Sequence, residues 1–302
     1  MQRHLRPLVL TLVALFIPVL GMAESRIALV AAYEGEYVHL RGALDGLDVS
    51  SVREINGVRF ELGQVHDQAV ILFESGIGLT NAAMTLQLAL SEFDVQAILF
   101  SGVAGALDPQ LKKGDLAIPA RWHHYDFGAK FTADEKAPGG YRVPPFMQEH
   151  ITEAHFGNFY PYKMTVRSEG DTQGREISYY PTDEAWLALA RATAADISLQ
   201  NAHGEEAAIL VDGVGGSGLA FNDDAAFSLF VREHWGTGTV DMESAALAQV
   251  ALANGVPILQ IRAISDIVGN ENPNEFAEFK HKGEANAGLF LNAMLARRAK
   301  TR

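Results

Sequence analysis

Cysteine is absent from this chain. Its absence excludes thiol nucleophiles, disulfide cross-links and thiolate metal sites, so the hydrophobic core alone must hold the fold. Positive charge is also scarce. The 24 lysines and arginines face 37 acids, for a net charge of −13, and they form no basic stripe. Recognition of phosphate backbones needs such a stripe, so neither nucleic acid nor an anionic membrane is expected as a partner. No G-x-S-x-G occurs, which excludes a serine hydrolase of the usual type. The histidines show no H-x-x-x-H or H-x-x-E-H spacing. His123 and His124 are adjacent and would face opposite ways in a strand. No metal and no cofactor are expected.

What is present begins with residues 1–23: Arg3 and Arg6, an apolar run from Leu8 to Leu20, then Gly21-Met22-Ala23. This is the pattern of a secretory signal peptide cleaved after Ala23. The apolar run falls short of the roughly 20 residues that span a bilayer. The expectation is a periplasmic or secreted protein of residues 24–302, with no membrane contact after cleavage. Removing the two arginines of residues 1–23, which contain no acid, takes the net charge from −13 to −15.

From Arg26 onward, strand and helix patterns alternate. "RIALVAA" (26–32) is a continuous apolar run, the mark of a strand buried on both faces, and "VQAILFSGVAG" (95–105) reads as a buried strand running into a glycine turn. "EYVHLRGAL" (36–44) and "LTNAAMTLQLALSEF" (79–93) have helical spacing. Residues 51–78 alternate around an Asn56-Gly57 turn, as in antiparallel strands. "GDLAIPARW" (114–122) reads as one strand and "EAAILVDGVGGSGLAF" (206–221) as a strand entering a glycine-rich bend. Helices are expected over 183–197, 225–234 and about 275–298. Residues 128–180, rich in Gly, Pro and Tyr, read as an irregular excursion with one short helix. Neither a repeat nor a Pro/Ser linker divides the chain. The fold expected is α/β: a single domain over 24–302 with a mostly parallel or mixed central sheet flanked by helices.

Chemistry gathers at strand ends, where open α/β sheets bind ligands. A helix from about Met242 stops at Gly255, and "ILQIRAI" (258–264) follows as a strand. Asp241 and Glu243 then sit at a helix N-terminus, which favours carboxylates, and Ser265 and Asp266 fall just past a strand. Asp241 alone is equally well read as a plain helix cap. Arg262, inside an apolar strand, needs a carboxylate partner; Glu243 or Asp266 could supply it. Glu34 and Glu36 follow the first strand. "ESGIG" (74–78) and "SGVAGAL" (101–107) read as glycine turns that bring backbone N–H groups toward a ligand.

Five motifs in order, "ALVAAYEGEY", "SGIGLTNAA", "SGVAGALDPQLKKGDLAIP", "SGLAF" and "VDMESAALAQVALANGVPILQIRAISD", resemble the purine nucleoside phosphorylase/nucleosidase superfamily. Its methylthioadenosine/S-adenosylhomocysteine nucleosidases are the most similar branch. The resemblance covers most of residues 26–298 outside 128–180. It implies a nucleoside-phosphorylase-like fold, a small-molecule purine nucleoside as partner, and a homodimer. It also implies roles: Glu36 activates water, Met242 and Glu243 hold the ribose, Asp266 with Ser265 beside it protonates the purine at N7, and Phe221 stacks on the base. Val103, Ala104 and Gly105, with Asp241, complete the implied binding set. Val103 stands where the family commonly has Ser or Thr, and Asp241 where it has Glu.

Breaking an N-glycosidic bond passes through an oxocarbenium-like state, so it needs one acid for the leaving base and one carboxylate for water. Phosphorylases of the superfamily usually carry an arginine where Phe100 stands here, and a phosphate dianion without such a partner is poorly held. Hydrolysis of adenosine-type nucleosides is therefore the expected activity. Phosphorolysis, or nucleoside binding without catalysis on the same fold, are the alternatives.

Overall fold

The computed structural model describes residues 24–301 apart from 153, 169, 271 and 273. The expected signal peptide lies outside the described residues. Among those described, no helix is long and apolar enough to cross a membrane.

The chain starts with β1 (Arg26–Ala31) and α1 (Glu34–Ala43), then the meander β2 (Asp48–Ile55), β3 (Val58–Val65) and β4 (Gln68–Glu74). Asn56 and Gly57 form the first hairpin turn, as expected. The second uses His66 and Asp67, both at positive φ (48° and 58°), which carry no glycine signature. Next come α2 (Leu79–Glu92), the long β5 (Val95–Ala106), β6 (Leu116–Ile118) and β7 (Arg121–His124). Residues 128–181 hold β8 (Gly128–Lys130), β9 (Phe159–Pro161), β10 (Met164–Ser168), β11 (Asp171–Ile177) and β12 (Tyr180–Pro181). The remainder is α3 (Glu184–Ala194), β13 (Ile209–Val211), β14 (Val214–Ser217), α4 (Ala225–Trp235), β15 (Thr237–Asp241), α5 (Ser244–Asn254), β16 (Ile258–Ile267) and α6 (Glu275–Lys300).

One large mixed sheet runs β12-β7-β14-β15-β5-β1-β4-β3-β2, with β16 beside β5 and β6, and β13 beside β6. β1 lies parallel to both β4 and β5, and β5 parallel to β16. The centre of the sheet is buried on both sides, and β1 shows why its sequence does not alternate. Ile27 and Leu29 pack with Leu40, Leu187 and Phe290 of α1, α3 and α6. Ala28 and Val30 pack with Leu86 and Leu247 of α2 and α5. Each fully buried Leu or Ile contributes about 1.5–3 kcal/mol. The α/β architecture is as expected.

Several elements differ from the sequence reading. Residues 114–122 are two strands rather than one, because Pro119 has no N–H to continue a ladder. β6 pairs with β13 and β16, whereas β7 pairs with β12 and β14. Residues 206–221 likewise divide at Asp212-Gly213, both at positive φ (133° and 88°), into β13 and β14. The 128–180 excursion carries two small antiparallel sheets, β8-β9 and β10-β11, and two single 3₁₀ turns in place of one helix. β15 was not anticipated. β5 runs through Gly102 and Gly105 to Ala106, so "SGVAGAL" is mostly strand rather than turn.

Candidate active site

β1, β5, β15 and β16 come together at a cavity of about 240 Å³. All ten residues singled out in the sequence line it: Glu36, Val103, Ala104, Gly105, Phe221, Asp241, Met242, Glu243, Ser265 and Asp266. Ser265 and Asp266 belong to β16 itself, which continues to Ile267.

Glu36 sits in the first turn of α1 and is 2% exposed. Its carboxylate accepts the Ala32 N–H at 2.7 Å and the Val103 N–H at 2.8 Å, tying the helix start to β5. Desolvation pushes its pKa up to about 6, against the pull of Arg262 and of these two N–H groups. Gly102 leaves the space the carboxylate occupies. A Cβ there would collide with Glu36 Oε1 and Arg262 Nη1. Gly102→Ala is expected to displace Glu36, destabilising the protein by about 1–3 kcal/mol, as thermal or urea unfolding would show.

Arg262 is fully buried in β16 and lies over the Phe100 ring, 4.3 Å from its centroid. Its Nε is 3.1 Å from Asp241 Oδ2, and its Nη2 is 3.5 Å from Glu243 Oε2 and 3.9 Å from Glu36 Oε1. Nη2 also donates to the Val103 carbonyl. Of the two partners proposed for it from sequence, Glu243 is one and Asp266 is not; Asp241 and Glu36 are the others. One guanidinium thus faces three carboxylates.

Asp241, at the end of β15, accepts from the Ser217 and Ser244 hydroxyls, each at 2.5 Å. It also accepts the Glu243 and Ser244 N–H groups at 3.2 Å, so it caps α5 and neutralises Arg262 at once. The helix proper starts at Ser244, two residues later than the sequence pattern indicated.

Glu243 accepts the Gly78 N–H at 2.8 Å. Burial, then the charge of Asp241, pushes its pKa up to about 8. The sign of the resulting pH effect is fixed. A carboxyl whose folded pKa is raised stabilises fully below the ordinary glutamate range, near 4.5, and that contribution is lost as pH rises through about 8. Glu243→Gln, which stays neutral, is therefore expected to flatten the fall of Tm between pH 6 and 8. Melting curves of both proteins across that range check it.

Asp266 lies beside Gly105 in the β16–β5 ladder and accepts the Ser265 hydroxyl at 2.6 Å. Desolvation raises its pKa; the Ser265 bond opposes the shift, and Glu275 and Asp223 add to it. At the cavity rim Phe221 is 60% exposed and meets Phe276 edge to face at 5.9 Å. Phe276, in the first turn of α6, was not anticipated. Nothing in the local pattern separates it from a core phenylalanine. Arg262 is the only basic residue lining the cavity among those described.

Residues 26–296 match the family described as the phosphorylase superfamily. The chain belongs to the phosphorylase superfamily. Within that superfamily it is similar to the 5'-methylthioadenosine/S-adenosylhomocysteine nucleosidase of Marinomonas sp. (strain MWYL1), 29% identical over 90% of this chain and 98% of that one. Its fold is that of the futalosine hydrolase of Helicobacter pylori strain 26695, with a TM-score of 0.67 at 24% identity over 90% of this chain and 98% of that one. It is likewise that of a Helicobacter pylori nucleosidase variant holding 5'-methylthioadenosine in its active site, with a TM-score of 0.68 at 23% identity over 90% and 99% of the two chains.

Proposed function

We propose that this chain is an N-glycosidic hydrolase of purine nucleosides, acting on adenosine-type substrates of the methylthioadenosine/S-adenosylhomocysteine kind. The observation that carries this is the charge inside the cavity. It holds buried carboxyls, and its one guanidinium is already engaged by three of them. A phosphate dianion would find no free cation there and would be repelled by Glu36. Water is the nucleophile that fits.

In this reading Glu36, with a pKa near neutrality, takes a proton from water. The water oxygen bonds to C1′ of the sugar while the C1′–N9 bond breaks. The bonding pair moves into the purine, which takes a proton at N7 from Asp266. Burial suits Asp266 to this task, because an acid whose pKa is raised holds its proton closer to neutral pH. Glu243 and Met242 lie against the ribose, and Phe221 stacks on the base. The nucleosidase names of the relatives support this substrate class.

The test is base release from a panel of purine nucleosides, 5'-methylthioadenosine included, in phosphate-free buffer and again with phosphate. Release without phosphate is expected, and Glu36→Gln is expected to lower kcat by about 10²–10⁴-fold. Release only with phosphate would overturn hydrolysis in favour of phosphorolysis. Tight nucleoside binding without release would overturn catalysis altogether.

A further inference from the structure

Outside the cavity, α1 and α6 bring together His39, His281 and Glu284, whose ligand atoms all lie within 4.8 Å of one another. The Glu284 side chain is fully buried, yet its ion-pair partners among the described residues are only these two imidazoles. Its Oε2 is 3.1 Å from His39 Nδ1 and 2.8 Å from His281 Nδ1. Its Oε1 accepts the Tyr33 hydroxyl at 2.6 Å. A buried carboxylate is costly without a compensating charge.

We propose that His39, His281 and Glu284 form a binding site for a divalent transition metal of the zinc class. The donor set is two imidazole nitrogens and one carboxylate oxygen, the chemistry such ions select. Ligands held about 2.0–2.1 Å from a tetrahedral zinc lie about 3.3 Å apart. The observed 2.8 and 3.1 Å to the carboxylate need to open by a few tenths of an ångström, and the two imidazole nitrogens, within 4.8 Å of each other, settle to the same spacing. The Tyr33 hydroxyl fixes the carboxylate from behind, as outer partners of metal ligands do. Gly35 makes the room: a Cβ there would come to 2.7 Å from Glu284 Oε1 and 2.8 Å from the Tyr33 ring. The His281 side chain is 64% exposed, which leaves an entry path and a fourth position for water. Coordination through His39 Nδ1 gives up its 2.9 Å contact with the Gly35 carbonyl and moves the ring proton to Nε2.

His-x-x-Glu within α6 supplies two ligands one helical turn apart, and the third comes from α1, so a search for paired histidines in the sequence passes over it. The site stands independently of the proposed reaction, and its test does not read activity. Chelator-treated protein is titrated with Zn²⁺ alone by calorimetry, and with Co²⁺ while following visible absorption. One equivalent is expected to bind, to give a tetrahedral Co²⁺ spectrum and to raise Tm. His281→Ala, at an exposed position, is expected to keep the metal-free Tm and to lose affinity by more than the 10–100-fold typical of outer-shell changes. Tyr33→Phe is expected to fall within that range. No binding by the unmodified protein would overturn the proposal. So would binding that drops by less than about 10-fold in both His281→Ala and Glu284→Gln.

Discussion

Asp266→Asn is expected to lower kcat for base release by about 10²–10⁴-fold, with nucleoside affinity changed little. The asparagine keeps the shape of the side chain and can still meet the Ser265 hydroxyl, but it has no acidic proton to give. The pH profile separates loss of an acid from loss of shape. In the unmodified enzyme kcat/KM should carry two ionisations, that of Glu36 near pH 6 and that of Asp266, whose pKa is raised by burial. The variant should keep the Glu36 ionisation and lose the one that belongs to Asp266. Full activity in Asp266→Asn would remove Asp266 from the chemistry.

Arg262→Met should give the largest loss of stability of any substitution in the cavity. Methionine fills most of the volume and can lie on Phe100, so the effect reports charge rather than packing. Asp241, Glu243 and Glu36 would be left buried with no cation among them. Removing one partner of a buried ion pair costs about 3–5 kcal/mol. At about 2–4 °C per kcal/mol for a chain of this size, Tm should fall by roughly 6–20 °C. Adding Asp241→Asn should restore part of the loss, because it removes the carboxylate that lies nearest the vacated charge, and the non-additivity of the pair measures the coupling. A Tm within 2 °C or so of the unmodified protein would mean that the carboxylates neutralise themselves by taking up protons.

The parts of this molecule that could be read from sequence are those where burial leaves a one-dimensional trace. β1, β5 and β16 are buried on both faces, so each is mostly apolar, with Gln260, Arg262, Ser265 and Asp266 the polar exceptions in β16. The first hairpin announces itself by Asn56-Gly57, whereas His66-Asp67 makes an equivalent turn without glycine. β8 and β9 are three residues each, too short for any period to show. β15, "TGTVD", mixes Thr, Gly and Asp and gains its place from pairing with β14 and β5. The motifs picked out ten residues that the fold brings to the lining of one cavity. The partners of Arg262 were only half legible, because its ligands come from three separate segments and sequence distance says nothing about their approach. Phe276 and the His39–His281–Glu284 cluster depend on where α6 packs, which no local pattern encodes.

β5 forms the middle of the sheet and also the floor of the cavity, where Gly102 and Gly105 leave room for Glu36 and Asp266. A strand hydrogen-bonded to β1, β16 and β15 opens only when the whole domain does. The carboxyl groups packed against it, Glu36 and Asp266, therefore have almost no freedom to adjust to a ligand. Whatever give the enzyme has must come from the rim, from Leu219 to Asn222 and from Phe276 at the start of α6, which lie outside the sheet. Under the proposed function, differences in the 5′ end of a nucleoside would be accommodated there, while the groups against β5 stay as rigid as the core.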